Sequence, residues 1–404
     1  MVHKNGLIRK KILKELYFSN PLTCAELGLK IDKSFPVTTK FINELMEEGI
    51  IIEKGFATST GGRRPLTYAL QGNVMYVVAV ATDQFTTRVA IMDMDNNFVT
   101  PVEKMELSLP NHPDAVSLLV NMISDTIDAS GICKDQIVGV GIGMPGFVNV
   151  KKGINYSFLH VTNKSLTQHI SEILSLPVFI DNDSSLIALA ELRFGAAKEI
   201  KNAMVINLGW GIGLGLILNG ELFRGNDGFA GEFSHIPLFL NGKLCSCGKT
   251  GCLETETSLL EIIKKGQEGI TAGKLSKLKA LSLEHVEPAI ESVIDAAKEG
   301  DRFAVELFSE AGYNIGKGVA ILIHLLNPKV IILSGRGSTA GQIWQAPIQQ
   351  AINEHCIPRL AASTVIEISD LGHNAELIGA AALVMENYEK VVTKKPDKVK
   401  PEPV

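Results

Sequence analysis

The sequence predicts an α/β body of two lobes, preceded by a winged helix-turn-helix domain. Three observations support this prediction. Apolar segments recur in a similar order in the two halves of the body, each half opens with β-hairpin strands, and the amino-terminal region combines helical patterns with a glycine- and arginine-rich hairpin. We expect a winged helix-turn-helix domain at 1–72, lobes at 73–200 and 201–388, and a disordered tail at 389–404.

Composition and charge are those of an ordinary globular protein. The chain has 404 residues, of which 46% are hydrophobic, enough for a sizeable core. Basic residues interrupt the apolar ones near the amino terminus, which argues against a secretory signal, so we expect a cytoplasmic protein. The least polar stretch, at 203–218, is only sixteen residues long and is interrupted by glycines, so we expect no membrane segment. The net charge of −5 divides into +4 for residues 1–72 and −9 for the remainder. This asymmetry predicts that only the small domain meets polyanions.

Three short helices are expected in the first domain. Four apolar residues of the first helix share one face: Ile8, Ile12, Leu13 and Leu16. The second helix begins after Thr23, with Glu26 completing a capping box. The third helix has Ser34 as its cap and Pro36 in its first turn, and Val37, Phe41 and Leu45 are spaced to face inward.

A hairpin with "GGRRP" at its tip follows the third helix and completes the winged helix-turn-helix. In such domains the third helix enters the major groove of DNA and the wing reaches the backbone or the minor groove. The expected DNA contacts are Ser34, Thr38, Thr39, Lys40 and Asn43 on the helix, with Arg63 and Arg64 on the wing. The alternative is a protein-interaction module with a solvated basic loop.

The body repeats one pattern. Residues 74–107 predict three antiparallel strands, followed by a helix and the strand "IVGVGIGM", and residue 202 opens a second such half. Two lobes that begin with hairpins and enclose a cleft are the ribonuclease H-like architecture of the actin and sugar-kinase superfamily. The carboxyl-terminal helices could return to the first lobe. The tail "KKPDKVKPEPV" is charged and rich in proline, so we expect disorder there.

Three of the six cysteines cluster in "CSCGKTGCLETE", and a histidine stands ten residues upstream of the first of them. Cys245, Cys247, Cys252 and His235 make a Cys3His set that suits tetrahedral zinc and leaves no open position, so the predicted metal is structural. The alternative is a loop in which cysteines merely cluster. The remaining cysteines, Cys24, Cys133 and Cys356, stand alone and are expected to be small apolar core residues.

The CxCGxxGCxE pattern is similar to the zinc signature of the ROK family, which contains sugar kinases and sugar-responsive repressors. The resemblance extends from residue 5 to about residue 388, and the winged helix with GGRRP resembles the repressor branch, with its N-acetylglucosamine-, glucose- and xylose-responsive members. The resemblance implies a sugar site at the following positions: Asn182, Asp183, Glu232, His235 and Glu254. Carboxylates and amides suit this role because each can bind two adjacent hydroxyls.

The nucleotide half of the family's site is altered. Ala81, Asp83 and Phe85 stand where the resemblance implies Asp, Gly and Thr of a phosphate turn, and Trp210 replaces a hydroxyl residue in a second turn. An additional carboxylate repels a triphosphate. We therefore expect no enzyme activity but a repressor that a sugar or sugar phosphate releases from double-stranded operator DNA, acting as a homodimer or a dimer of dimers. The alternative is an ATP-dependent sugar kinase with an accessory amino-terminal module and Asp183 as its base.

Overall fold

The computed structural model describes residues 2–58, 64–109 and 112–391. Among these residues, no helix combines the length and the apolar character that crossing a membrane requires. The chain forms two compact units: the first comprises residues up to 142, residues 150–180 and residues from 380, and the second comprises residues 143–149 and 181–379. We describe each unit separately.

The amino-terminal part of the first unit consists of three helices and a small antiparallel sheet. Its elements are α1 (Val2–Phe18), β1 (Leu22–Thr23), α2 (Cys24–Lys30), α3 (Phe35–Glu47), β2 (Ile51–Phe56) and β3 (Leu66–Leu70), with the strand order β1-β3-β2. The four apolar residues predicted to share a face of α1 are all buried. Thr23 and Glu26 form the predicted capping box, because the Thr23 side chain accepts from the Glu26 N–H and the Glu26 carboxylate accepts from the Thr23 N–H.

The inward face of α3 differs from the predicted one by one position. Val37, expected inside, is exposed, whereas Thr38, expected at the DNA surface, is fully buried. The Thr38 hydroxyl donates to the carbonyl oxygen of Ser34 at 3.1 Å, so its polar atom is satisfied inside the helix and only its methyl group meets the core. Ser34 occupies the cap position, but its side chain makes no capping hydrogen bond.

The body of the first unit is built on a five-stranded sheet. Its strands and helices continue as β4 (Tyr76–Thr82), β5 (Thr86–Met92), β6 (Glu103–Glu106), α4 (Ala115–Ser130), β7 (Ile137–Met144), β8 (Val148–Asn149), β9 (Ile154–Asn155), α5 (Leu166–Leu174) and β10 (Val178–Asn182). Of these, β8 and the last residues of β7 and β10 fall in the second unit. The sheet order is β10-β7-β4-β5-β6, and β5 is antiparallel to both β4 and β6. The strands, the helix and the final strand that the sequence predicts for this region are present.

The second unit repeats the arrangement. Its elements are α6 (Asp183–Phe194), β11 (Ala203–Leu208), β12 (Ile212–Leu218), β13 (Glu221–Phe223), α7 (Glu254–Thr257), α8 (Leu259–Thr271), α9 (Val286–Lys298), α10 (Arg302–Leu326), β14 (Val330–Ser334), α11 (Gln345–His355), α12 (Pro358–Ala361), β15 (Val365–Ile368) and the start of α13 (Ala375–Glu386), a helix that belongs to the first unit from residue 380. The sheet order is β13-β12-β11-β14-β15, with β12 antiparallel and β14 parallel to β11.

The expected boundary at residue 200 differs from the observed division of the chain. Helix α6 belongs to the second unit because it packs against β11 and β12: Ile187 and Ala188 share a buried cluster with Val205 and Ile217. Glycines make this contact close, since a Cβ atom on Gly215 would lie 2.2 Å from that of Ala188. Such a packing partner is not apparent from local sequence patterns.

Residues from 380 onward pack with the amino-terminal helices in the first unit. Lys14 Nζ donates to the carbonyl oxygen of Glu386 at 3.0 Å and lies 3.6 Å from the Glu389 carboxylate. Lys10 donates to the carbonyl oxygen of Val391, which is buried. The predicted disordered tail therefore begins too early, because Glu389, Lys390 and Val391 are held against α1. The remainder of that tail, 392–404, lies outside the described residues.

Candidate functional site

The junction between β10 and α6 presents the first two predicted sugar-binding residues. Asn182 is the N-cap of α6, and its Oδ1 accepts hydrogen bonds from the backbone N–H groups of Ser184 at 3.0 Å and Ser185 at 3.3 Å. Its Nδ2 donates to the carbonyl oxygen of Gly146 at 3.2 Å. The side chain thus joins the helix to the turn after β7 and fixes the junction from both sides.

Asp183 is the first residue of α6, and its carboxylate is held in place. Its Oδ1 accepts from the Ser184 N–H at 2.7 Å, and its Oδ2 accepts from Asn207 Nδ2 at 3.3 Å. The helix dipole favours negative charge at this position. A half-buried carboxylate that is already oriented can bind a ligand hydroxyl without a further ordering cost.

A buried ion pair that the sequence reasoning missed lies beneath this junction. Asp181 is 2% exposed, and its Oδ2 accepts from Arg224 Nη2 at 2.6 Å and Nε at 3.1 Å. Burial raises the pKa of Asp181, and the Arg224 guanidinium opposes this effect. The carboxylate inside the apolar strand "VFIDN" could have indicated a buried charge, which requires a partner. The sequence does not show that this partner is Arg224, 43 positions away.

A glycine-rich turn between β11 and β12 brings two parts of the site together. A Cβ atom on Gly211 would lie 2.5 Å from Oε2 of Glu254, and one on Gly213 would lie 1.9 Å from Oγ of Ser184. Side chains at these two positions would displace the Glu254 carboxylate and the start of α6. The absence of side chains there lets Glu254 and the Asp183 junction pack against one short turn.

Glu232 and His235 lie on the next loop and face each other. Gly231 has a φ of +106°, and a Cβ there would lie 2.3 Å from the Leu214 carbonyl oxygen, so only glycine lets the loop approach β12 this closely. The Oε2 of Glu232 is 3.7 Å from Nε2 of His235. Partial burial raises the pKa of Glu232, the neighbouring His235 lowers it, and the Glu254 carboxylate raises it, so the three side chains lie within electrostatic reach of one another.

The predicted metal ligands converge. The ligand atoms of His235, Cys245, Cys247 and Cys252 all lie within 4.8 Å of one another. Two sulfurs, those of Cys247 and Cys252, are 3.6 Å apart, near the ~3.8 Å edge of a tetrahedron with zinc–sulfur bonds of about 2.3 Å. His235 Nδ1 is 3.5 Å from the Cys245 sulfur. The donor set and its spacing therefore fit a four-coordinate metal ion.

Known proteins resemble this chain over most of its length. The family model described as ROK family matches residues 80–387. The chain belongs to the ROK family. It is 35% identical over 292 residues to a glucokinase of Halalkalibacterium halodurans, a match that covers 70% of this chain and 88% of that protein.

Two further ROK relatives match nearly the whole chain. A xylose repressor of Caldicellulosiruptor bescii is 29% identical over 390 residues, covering 93% of this chain and 94% of that one. A crystal structure of a ROK family transcriptional regulator, a homolog of the E. coli MLC protein, superimposes with a TM-score of 0.78 at 26% identity, covering 96% of this chain and 98% of that one. These matches agree with the ROK fold of the body.

In the turn between β4 and β5, where the ROK resemblance implies phosphate binding, a carboxylate occupies the backbone donors. Asp83 Oδ1 accepts from the N–H groups of Phe85 and Thr86, both at 2.8 Å, and its Oδ2 accepts from the Thr86 hydroxyl at 3.0 Å. Backbone N–H groups of such a turn are the donors that a phosphate needs. The turn therefore already holds an anion that belongs to the protein. In addition, Ala81 stands where the resemblance implies a metal-binding carboxylate.

The turn "GWGIG" of the second unit is filled by side chains. Trp210 is buried, and the Arg336 guanidinium lies 4.7 Å from its ring centroid. Arg336 Nη1 is also 2.7 Å from Oε1 of Glu287, so an ion pair holds the cation over the ring. The hydroxyl that the ROK pattern places at position 210 is thus replaced by a packed aromatic side chain with two charged neighbours.

Four of the seven predicted DNA-contacting residues are exposed in the part of the chain that the structure describes. Ser34, Lys40, Asn43 and Arg64 are exposed, and Thr39 is half-buried, with its hydroxyl donating to the Phe35 carbonyl oxygen at 2.9 Å. Thr38 lies in the core. Arg63 lies outside the described residues. Phe35 and Val37, which were not predicted as contacts, are instead exposed at the start of α3.

Proposed function

We propose that this ROK protein is a sugar-responsive transcriptional regulator, a repressor that a monosaccharide or sugar phosphate releases from operator DNA. The observation that carries the proposal is a contrast within the fold. We infer that the Asn182–Asp183 junction, Glu232, His235 and Glu254 bind hydroxyls, whereas both turns at which the resemblance implies phosphate binding hold side chains of the protein itself. A domain that binds a sugar without transferring phosphate acts as a sensor.

The amino-terminal domain supports the DNA-binding part of the proposal. Its order of helices and strands is that of a winged helix-turn-helix, with α3 as the recognition helix and β2 and β3 as the wing. The domain carries a net charge of +4 on an otherwise acidic chain, as expected for a module that meets phosphates. Relatives named as xylose repressors match over 93–95% of the chain, a length that must include part of this domain, whereas the glucokinase match spans 70%.

Zinc is the ion that best fits the Cys3His cluster, and we infer a structural role for it because all four coordination positions are filled by protein. Bound zinc would fix the loop from 235 to 252 and orient the His235 ring. The ring's other nitrogen faces Glu232, an arrangement in which a carboxylate sets the orientation of a metal-bound imidazole. The metal would thereby shape the sugar site without touching the sugar.

A cytoplasmic homodimer, or a dimer of dimers, is the assembly that we propose. Two winged helices related by a two-fold axis would read the two halves of a pseudo-palindromic operator. A sugar that binds one conformation of the body more tightly would change the relative placement of the two recognition helices. Differential affinity for two conformations is the physical requirement for such a switch.

An ATP-dependent sugar kinase is the second candidate, favoured by the fixed carboxylate of Asp183 and by the glucokinase relative. Incubating the zinc-loaded protein with a panel of hexoses and Mg-ATP separates the two candidates. The proposal predicts no ADP above the sugar-free background. Sugar-dependent ADP formation that disappears in Asp183→Asn would establish the kinase instead. A thermal-shift screen against monosaccharides and their phosphates then identifies the effector, because a ligand of the folded state raises its melting temperature.

A further inference from the structure

The first turn of α3 exposes apolar side chains where a DNA-reading helix would be expected to expose hydrogen-bonding ones. Phe35 is 61% exposed and Val37 is 36% exposed, and Pro36 between them is exposed as well. These three residues are the first of the helix. The recognition helix of a helix-turn-helix contacts base edges with its amino-terminal residues, so this apolar turn lies where bases are read.

Two hydroxyl groups close to this turn are already used within the helix, whereas the hydroxyl of Ser34, at the cap position, makes no capping hydrogen bond. Thr38 donates to the Ser34 carbonyl oxygen at 3.1 Å, and Thr39 donates to the Phe35 carbonyl oxygen at 2.9 Å. Neither hydroxyl is therefore directed to a base edge as a donor. The exposed polar side chains of the helix, Lys40, Asn43 and Glu47, all come after this first turn.

The charge of the domain indicates which partner the apolar turn meets. Residues 1–72 carry a net +4, and Lys40 and Arg64 are both exposed. A surface of this charge favours a polyanion such as DNA. In the major groove of DNA, the one apolar group on the edge of a base pair is the C5-methyl group of thymine. Phenylalanine and small aliphatic side chains are the residue types that contact this methyl group.

We propose that Phe35 and Val37 read thymine C5-methyl groups, so that each operator half-site carries thymines beneath the first turn of α3. The inference rests on the proposed DNA-binding function and specifies the chemistry by which the operator is recognised. Lys40 and Asn43 then contact phosphates or base edges farther along the groove. Specificity at the apolar turn depends on desolvating a methyl group and not on a hydrogen bond.

The test begins by selecting duplexes that the full-length protein binds from a library with a randomised centre. In the selected duplex each thymidine is replaced in turn by deoxyuridine, which removes only the methyl group, and affinity is measured by fluorescence anisotropy at fixed salt. The expected result is a loss of about fourfold at one or two positions in each half-site, the size of effect expected for one methyl-sized group. In Phe35→Ala or Val37→Ala the same replacement should change affinity much less.

A matched control is available outside the amino-terminal domain. Phe223, on β13, is 46% exposed, so Phe223→Ala removes an exposed ring away from both the recognition helix and the wing. This variant should retain the wild-type response to deoxyuridine. The Val37→Thr variant keeps one methyl group in place and should retain part of the response.

The outcomes distinguish the two levels of the proposal. Failure to enrich any common sequence would overturn the proposed function. Enrichment of a sequence whose affinity is insensitive to deoxyuridine at every position would overturn only the methyl-reading inference. The inference also fails if Phe35→Ala leaves DNA binding intact but changes the sedimentation coefficient, since the apolar turn would then mediate association between proteins.

Discussion

The Nε2 atom of His235 lies 3.7 Å from Oε2 of Glu232. The other ring nitrogen, Nδ1, faces the Cys245 sulfur at 3.5 Å. One imidazole therefore connects the proposed metal cluster to a carboxylate of the proposed sugar site. A change at the sulfur cluster can reach the sugar site through this ring, and also along the chain, because Cys252 is two residues from Glu254.

Removing the metal should abolish the response to sugar. Chelation, or Cys247→Ser, leaves the loop from 235 to 252 without its cross-link, so the His235 ring loses its fixed orientation. The measurement is the sugar-induced rise in melting temperature, together with the zinc content of the protein. Cys133→Ser is the control, because Cys133 is exposed, contrary to the expectation that it is a core residue, and is distant in sequence from the cluster. A full sugar response in metal-free protein would contradict the scaffold role.

Arg224→Met should destabilise the folded protein by about 3 kcal/mol, because it leaves the buried Asp181 carboxylate without its partner. The measurement is the urea midpoint of unfolding at neutral pH. Arg359→Met is the matched control, since Arg359 is exposed. Adding Asp181→Asn to Arg224→Met should recover much of the loss. If the two single arginine variants unfold at the same midpoint, the ion pair does not stabilise the junction beneath Asn182.

Glu191 should make stability depend on pH. Its fully buried carboxylate accepts hydrogen bonds from the Ser334 and Ser369 hydroxyls and the Ala196 N–H, yet burial raises its pKa above the ordinary 4.5. The group's contribution to stability is thus complete below pH 4.5 and is lost as pH rises through the raised pKa.

Glu191→Gln cannot titrate, so its melting temperature should rise relative to that of wild type as the pH increases from 4.5 to neutral. Melting temperatures of both proteins across this range provide the measurement. The exposed Glu291→Gln should follow wild type. A difference between Glu191→Gln and wild type that stays constant with pH would show that burial does not penalise the charge.

The wing should contribute to the salt dependence of DNA binding. Replacing Arg63 and Arg64 with alanine should reduce the slope of log K against log salt by about 0.9 for each phosphate that the arginines neutralise. Affinity for a selected duplex at several salt concentrations gives the slope. Lys134→Ala, an exposed cation outside the amino-terminal domain, should leave it unchanged. An unaltered slope in the double arginine variant would exclude a role for the wing.

Local patterns predicted much of the fold and of the candidate site. The capping box at Thr23 and the spacing of Cys245, Cys247 and Cys252 are short-range signals, and the structure contains both arrangements. The two halves of the body could be recognised in the sequence because hairpins and buried strands have strong local periodicity. The sugar-site residues followed from the family resemblance, and their roles stay a proposal.

The features that sequence reasoning did not identify depend on long-range packing. Thr38 can lie in the core because its hydroxyl donates a hydrogen bond to a carbonyl oxygen of its own helix. The hydrophobicity of Val37 predicted instead that Val37 faces the core, and this prediction is wrong. The pairing of Asp181 with Arg224 joins residues 43 positions apart. The stack of Arg336 on Trp210 joins two turns that are remote in sequence. Such contacts are set by tertiary structure and leave no periodic signal.

The central claim is that sugar and operator DNA bind to conformations that exclude each other, and thermodynamic linkage tests it most directly. The affinity for a selected duplex is measured with and without a saturating concentration of the sugar found by thermal shift, and the sugar affinity is measured with and without DNA. The account predicts that both affinities fall by the same factor and that Glu254→Gln binds DNA normally but loses the sugar effect. A DNA affinity that is unchanged by saturating sugar would contradict it.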